Sequence, residues 1–239
     1  MSRKIEKSAQ KEAKKKKVFK LMKITITLII LFLINLYIIL AIIYKGENFT
    51  ITLDSEYGKE SGLVIYESLQ DKRQHTYLKC KDIDFFSDIS ILWLPENIDN
   101  EGDGSHNGEH YIAYTFYAEN QGQETINYWS KIEIDDVIKD VDDAIRVMVI
   151  KNGEKTVYAK MNHKTNQPEE GTVPFYSEEK KLIMNEQTKD FKVGDIDKYT
   201  VVIWIEGDDP ECLDNLIGGE IKMHMTLTEE HINNEETNE

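Results

Sequence analysis

Cysteine is nearly absent from this chain: Cys80 and Cys212 are its two thiols. It carries no CxxC pair, no phosphate-binding glycine loop and no Ser/His/Asp arrangement. The sequence signals of dithiol redox chemistry, nucleotide binding and triad hydrolysis are therefore missing. Internal repeats, a cell-wall sorting signal and a second membrane-length apolar run are missing as well. Cations are scarce from residue 45 onward, where 19 basic residues face 42 acidic ones for a net charge of −23. A surface of that sign repels phosphate backbones, so nucleic acid is not expected as a partner.

What is present begins with a charge asymmetry. Residues 1–23 hold ten basic side chains against two acids, a net of +8. Then come 21 residues without a charge, Ile24–Tyr44, interrupted in polarity by Thr25, Thr27 and Asn35 alone. As a helix this segment is about 31 Å long, the thickness of a bilayer's hydrocarbon core. It is apolar all round, unlike a helix lying on a soluble core. The flanking cations stay on the cytoplasmic side, which predicts a cytoplasmic tail over 1–23, a transmembrane helix over 24–44 and an extracellular domain over 45–228. The apolar run exceeds that of a cleaved signal peptide and lacks a small-x-small site, so it reads as an uncleaved single-pass signal anchor in the cell membrane. Lys14–Lys17 reads as a topology signal, and Asn35 is a candidate for helix–helix hydrogen bonding. Residues 229–239, polar and acidic, read as a disordered tail.

The outer segment is a series of short runs rich in β-branched and aromatic residues: 49–53, 63–66, 76–81, 89–94, 111–118, 125–134, 145–150, 156–160, 199–205 and 220–227. Such spacing predicts an all-β domain, a sandwich or barrel. Asn152-Gly153 between Lys151 and Glu154 is a tight hairpin signal. Residues 135–144 and 210–216 have room for a helical turn or two. The runs at 111–118 and 199–205 are apolar on both parities, which places them mid-sheet or beneath a covering loop. Phe49–Leu53 is the candidate edge strand for self-association or for contact with other surface proteins.

Three groups of residues invite chemical readings. His106-Asn107-Gly108-Glu109-His110 matches the H-x-x-E-H zinc motif, but that chemistry needs a helix and Gly102, Gly104 and Gly108 disfavour one. A solvated loop is the expectation there. Asp99, Glu101 and Asp103 alternate before Gly104 as at the start of a calcium loop, yet no acid stands at the twelfth position. Glu206, Asp208 and Asp209 belong to a run of five carboxylates after the 199–205 strand, suited to a cation or to capping the turn opened by Pro210. Calcium is thus the one cofactor these acids suggest. Cys80 and Cys212 have each other as the sole pairing partner. A bridge would stabilise by about 4 kcal/mol in the chain-entropy model; the alternative is two separate thiols.

The stretches YIAYTFYAENQG (111–122), DAIRVMV (143–149) and VVIWIEGDDPEC with IGGEIKMHM (201–225) together resemble Gram-positive surface proteins related to camelysin and the TasA biofilm-fibre proteins. The resemblance covers residues 49–228 and implies a jelly-roll-like β-sandwich. It implies a non-enzymatic role in adhesive, matrix or envelope contacts at the cell surface. Two alternatives stand beside it: a metal-dependent surface hydrolase of camelysin type, and a ligand-sensing or secretion-accessory module. No catalytic residues carry over, because no ligand set matches. The lysine-rich tail and retained anchor also depart from the group.

Overall fold

The computed structural model describes residues 2–44, 48–54, 62–83 and 87–230. The chain divides into two compact units, 1–46 and 47–239. The first is one helix, α1, Ser2–Tyr44. Within it Lys14–Leu40 is long and apolar enough to cross a membrane, with a mean hydropathy of 2.4. Thr25, Thr27 and Asn35 bond back to the carbonyls of Leu21, Lys23 and Leu31. Their side-chain donors are thus satisfied inside the helix, as a hydrocarbon environment would require. The helix starts well before Ile24, so the basic tail and the apolar run form one element.

The second unit is built from twelve described strands: β1 (Phe49–Asp54), β2 (Leu63–Tyr66), β3 (Tyr77–Lys79), β4 (Gly104–Ser105), β5 (Tyr111–Asn120), β6 (Ile126–Ile138), β7 (Ile145–Lys151), β8 (Glu154–Ala159), β9 (Val173–Pro174), β10 (Leu182–Phe191), β11 (Ile196–Ile205) and β12 (Glu220–Glu230). One sheet has the order β10-β6-β12-β1-β3; the other runs β2-β5-β11-β7-β8-β9, with β4 also on β5. Both are mixed, since β1 runs parallel to β12 and β9 parallel to β8.

The two sheets bury their facing sides in one core. Phe49, Ile51, Tyr128, Ile132 and Met225 come from the first sheet; Ile65, Phe116, Val147, Tyr199 and Val201 come from the second. The opposite parity of β5, β7 and β11 supplies a second core, in which Ala113, Met148, Ile150, Val202 and Trp204 pack under Ile89 and Ile98 of the 87–103 connection. The double-sided apolar strands therefore lie inside their sheet, with the outer face covered by a loop. At the hairpin after β7, Asn152 and Gly153 adopt φ of 51° and 86°, the positive pair of a type I′ turn.

Polar groups also join the sheets. Tyr128 donates to Asp197 and lies 2.8 Å from the Tyr199 hydroxyl. Lys151 pairs with Asp197 at 3.1 Å and sits over both tyrosine rings. Glu229 accepts from the Gly62 and Leu63 amides at 2.8 and 2.9 Å. In the turn after β5, Asn120 Oδ1 accepts from Gly122 N at 2.9 Å, and a Cβ on Gly62 would come within 2.9 Å of Gly122 Cα. That close approach explains the glycine in the Asn-x-Gly sequence.

Several expectations need correction. Phe49–Asp54 is not an edge strand, because β12 and β3 flank it on both sides. Ile89–Leu94 is not a strand: Ile89 makes a single bridge to Glu206, and Ile91–Trp93 is a 3₁₀ turn. Of the two segments given helical turns, 135–144 continues β6 to Ile138 before a 3₁₀ turn at Val141–Asp143, and 210–216 yields one at Asp214–Leu216. The last strand runs to Glu230, past Leu227; the rest of the expected tail, 231–239, lies outside the described residues.

Candidate functional site

One end of the two-sheet unit collects the features with most bearing on function. β5, β7 and β12 begin there and β6 and β11 finish there, because 139–144 joins Ile138 to Ile145 and 206–219 joins Ile205 to Glu220. β1 starts at the same end, since it runs parallel to β12 with Phe49 opposite Met223. The two connections are tied together by Lys139 Nζ, which donates to the Ile217 carbonyl at 2.6 Å.

The 87–94 segment is latched onto this end. Ile89 N donates to Ile205 O at 2.9 Å and Gly207 N to Ile89 O at 3.0 Å. Buried Glu206 accepts from Trp204 Nε1 at 3.0 Å and from Ile91 N at 3.1 Å with the same oxygen. Ser90 opens the turn: its carbonyl accepts from Trp93 N at 2.9 Å and its hydroxyl from Leu92 N. A Cβ on Gly207 would meet Asp88 Oδ2 at 2.8 Å, so the two connections touch closely. Ile89 is thereby buried, and Leu92 and Trp93 are displayed at 86% and 74% exposure. Ile138 at the end of β6, and Leu213 and Ile217 on the 206–219 connection, are exposed as well.

The charges behind this tip are largely paired within the protein. Arg146 and Asp209 form a buried ion pair, their side chains 5% and 1% exposed. Lys160 holds both Asp142 and Asp143, while Glu211 accepts from the His163 amide at 2.8 Å. Burial alone would pull the Lys160 pKa down, but the hydrogen bonds and charges of Asp142 and Asp143 together outweigh it and leave the pKa raised. Cys212 lies among Asp88, Asp209 and Glu206, and burial followed by those charges pushes its thiol up, away from thiolate chemistry.

The residues singled out in the sequence fall as follows. Glu206 and Asp209 use their carboxylates to latch the turn and to neutralise Arg146, and Asp208 is exposed. Asp103 accepts from the Tyr117 hydroxyl at 2.9 Å; burial and that carboxylate push Tyr117 up to about 12. The Asp99 main chain, rather than its side chain, accepts from Lys198, and Glu101 is exposed. These acids are not brought together as calcium ligands: among the described residues no group of three or more His, Cys, Asp or Glu is placed to hold a metal ion. Cys80 and Cys212 are both free thiols, which corrects the disulfide alternative. Cys80 instead contacts Ser105 Oγ and Asn107 Oδ1, each at 3.3 Å.

The H-x-x-E-H stretch lies in a β-hairpin, where His106 N donates to Ala113 O and Gly108 N to Tyr111 O. His106 turns its Nε2 to Thr115 Oγ1 at 2.9 Å, while His110 receives the Ser87 amide. The two imidazoles are thus committed to different partners, and the helical zinc geometry is not formed. Reading the sequence missed the tip, because Ile91-Leu92-Trp93 has strand composition. The signal that marks it is Ser90 before the run and Pro95 after it, a cap and a stop around three residues.

Comparison of the chain with family models, with curated proteins and with solved structures gives no match.

Proposed function

We propose that this chain is a membrane-anchored surface protein that acts by contact rather than catalysis. Its β unit, a jelly-roll-like sandwich on the extracellular side, engages the cell envelope or surrounding matrix. One observation carries this reading: Leu92 and Trp93 are held outward on a turn latched by a buried glutamate. A folded domain ordinarily buries a tryptophan and a leucine, and fixing both in solvent by several hydrogen bonds is the design of a binding anchor. The resemblance to camelysin- and TasA-related surface proteins agrees with it, as does the apolar helix preceding the domain.

The test is release. A protease site inserted between Gly46 and Glu47 allows the outer unit to be cut from its helix on intact cells. The contact reading expects the severed wild-type unit to sediment with the envelope, and a Leu92→Ser/Trp93→Ser variant to pass into the medium. Equal, complete release of both after cleavage would refute it.

A further inference from the structure

The tip also suggests what it touches. We propose that Leu92 and Trp93, with Leu213 and Ile217 of the 206–219 connection at the same end of the sheets, dock into the interfacial layer of the bilayer that carries the chain's own helix. This inference rests on the membrane-anchor reading and deepens the contact function by naming lipid as the partner.

Three observations select lipid over a protein groove. The first is chain length. Four residues, 45–48, separate Tyr44, the last residue of α1, from Phe49, the first of β1. The β unit is thus joined to the apolar helix by a short connection. The second is topology. β1 begins at the end of the sheets where the 87–94, 139–144 and 206–219 connections meet, and the exposed Ile91, Leu92, Trp93, Ile138, Leu213 and Ile217 all belong to that end. The third is chemistry. Tryptophan with leucine and isoleucine is the composition that settles at the headgroup–acyl boundary, the indole in the headgroup layer and the aliphatic chains below. Being spread over three connections, these residues suit a broad interface better than the pocket of a single partner.

The charges impose a condition. Asp142, Asp143 and Asp209 are neutralised by Lys160 and Arg146, but Asp88, Asp208 and Asp214 remain exposed at this end. The surface therefore favours zwitterionic over anionic lipid.

The experiment uses the full chain reconstituted into phosphatidylcholine vesicles whose acyl chains are brominated. Bromine quenches an indole only at contact range. Trp204 is fully buried and Trp129 partly so, leaving Trp93 as the accessible reporter. Expected is a drop in emission relative to unbrominated vesicles, abolished in Trp93→Phe and reduced in Leu92→Ser, and weakened when phosphatidylglycerol replaces half the lipid. Emission unchanged by bromine in a chain that resists carbonate extraction would overturn the docking and leave the anchor standing. Quenching that persists in Trp93→Phe would overturn it equally. A chain stripped from the vesicles by carbonate would overturn the anchor reading itself, and the docking with it.

Discussion

Replacing Glu206 by alanine tests how the tip is held. Two donors converge on one carboxylate oxygen, Trp204 Nε1 at 3.0 Å and Ile91 N at 3.1 Å, and the other oxygen faces Asp208 N at 3.3 Å. Truncation leaves all three without a side-chain acceptor. The Ile91 and Asp208 amides lie at exposed positions and can turn to water. The Trp204 indole cannot, being fully buried in the second core. A buried donor left unsatisfied costs about 1–3 kcal/mol, and lost bonds to an ionised acceptor add to it, so Glu206→Ala should destabilise the β unit by about 2–4 kcal/mol. Glu206→Gln keeps an acceptor oxygen and should lose about 1 kcal/mol. Urea unfolding of the full chain in detergent reads the global loss, and amide exchange over 89–94 reads the local one. The alanine variant should exchange faster at Ile91 and Trp93 than at β6 amides. Stability within about 0.5 kcal/mol of wild type, with unchanged exchange at the turn, would refute the latch.

Two further perturbations probe charges near and beneath that surface. Arg146→Met strands the Asp209 carboxylate in a site 1% exposed and should cost about 3–5 kcal/mol, whereas Arg146→Met with Asp209→Leu should recover most of it; a double-mutant cycle in urea checks this, and equal losses in single and double variants would contradict it. Burial lowers the His106 pKa against the opposing pull of Glu101 and Asp103. The unfolded chain then takes up that proton at a higher pH, near the ordinary value of about 6.5, so stability is retained above it and declines as pH falls below it. Denaturation at pH 7.5 and pH 5.5 should show this decline in the wild type and a smaller one in His106→Gln.

Much of the architecture was legible because a long apolar helix and core burial write strong, simple patterns. A charge-free run flanked by lysines, and runs such as 111–118 and 199–205 that are apolar on both parities, leave few alternatives. β10 was not legible: after Met184 it reads Asn-Glu-Gln-Thr-Lys-Asp, because among the described strands β6 alone is its ladder neighbour and its outer face is open to water. The tip misled in the opposite way. Ile91, Leu92 and Trp93 have the composition of a buried strand, and the sequence does not reveal that Glu206, 115 residues later, fixes them as an exposed turn. The acid runs misled because carboxylates that bind cations and carboxylates that hold Arg146 or an indole look the same in one dimension. Cys80 and Cys212 likewise carry no mark of which elements surround them.

Display of an anchored domain outside the cell is tested most directly by side-specific labelling. In a Cys212→Ser background, where Cys80 stays buried, a single cysteine is placed either at Lys155 in the exposed β7–β8 hairpin or at Lys15 in the basic segment. A membrane-impermeant thiol reagent should label the Lys155→Cys chain on intact cells and the Lys15→Cys chain only after lysis. Labelling of Lys15→Cys on intact cells with Lys155→Cys protected would contradict that topology.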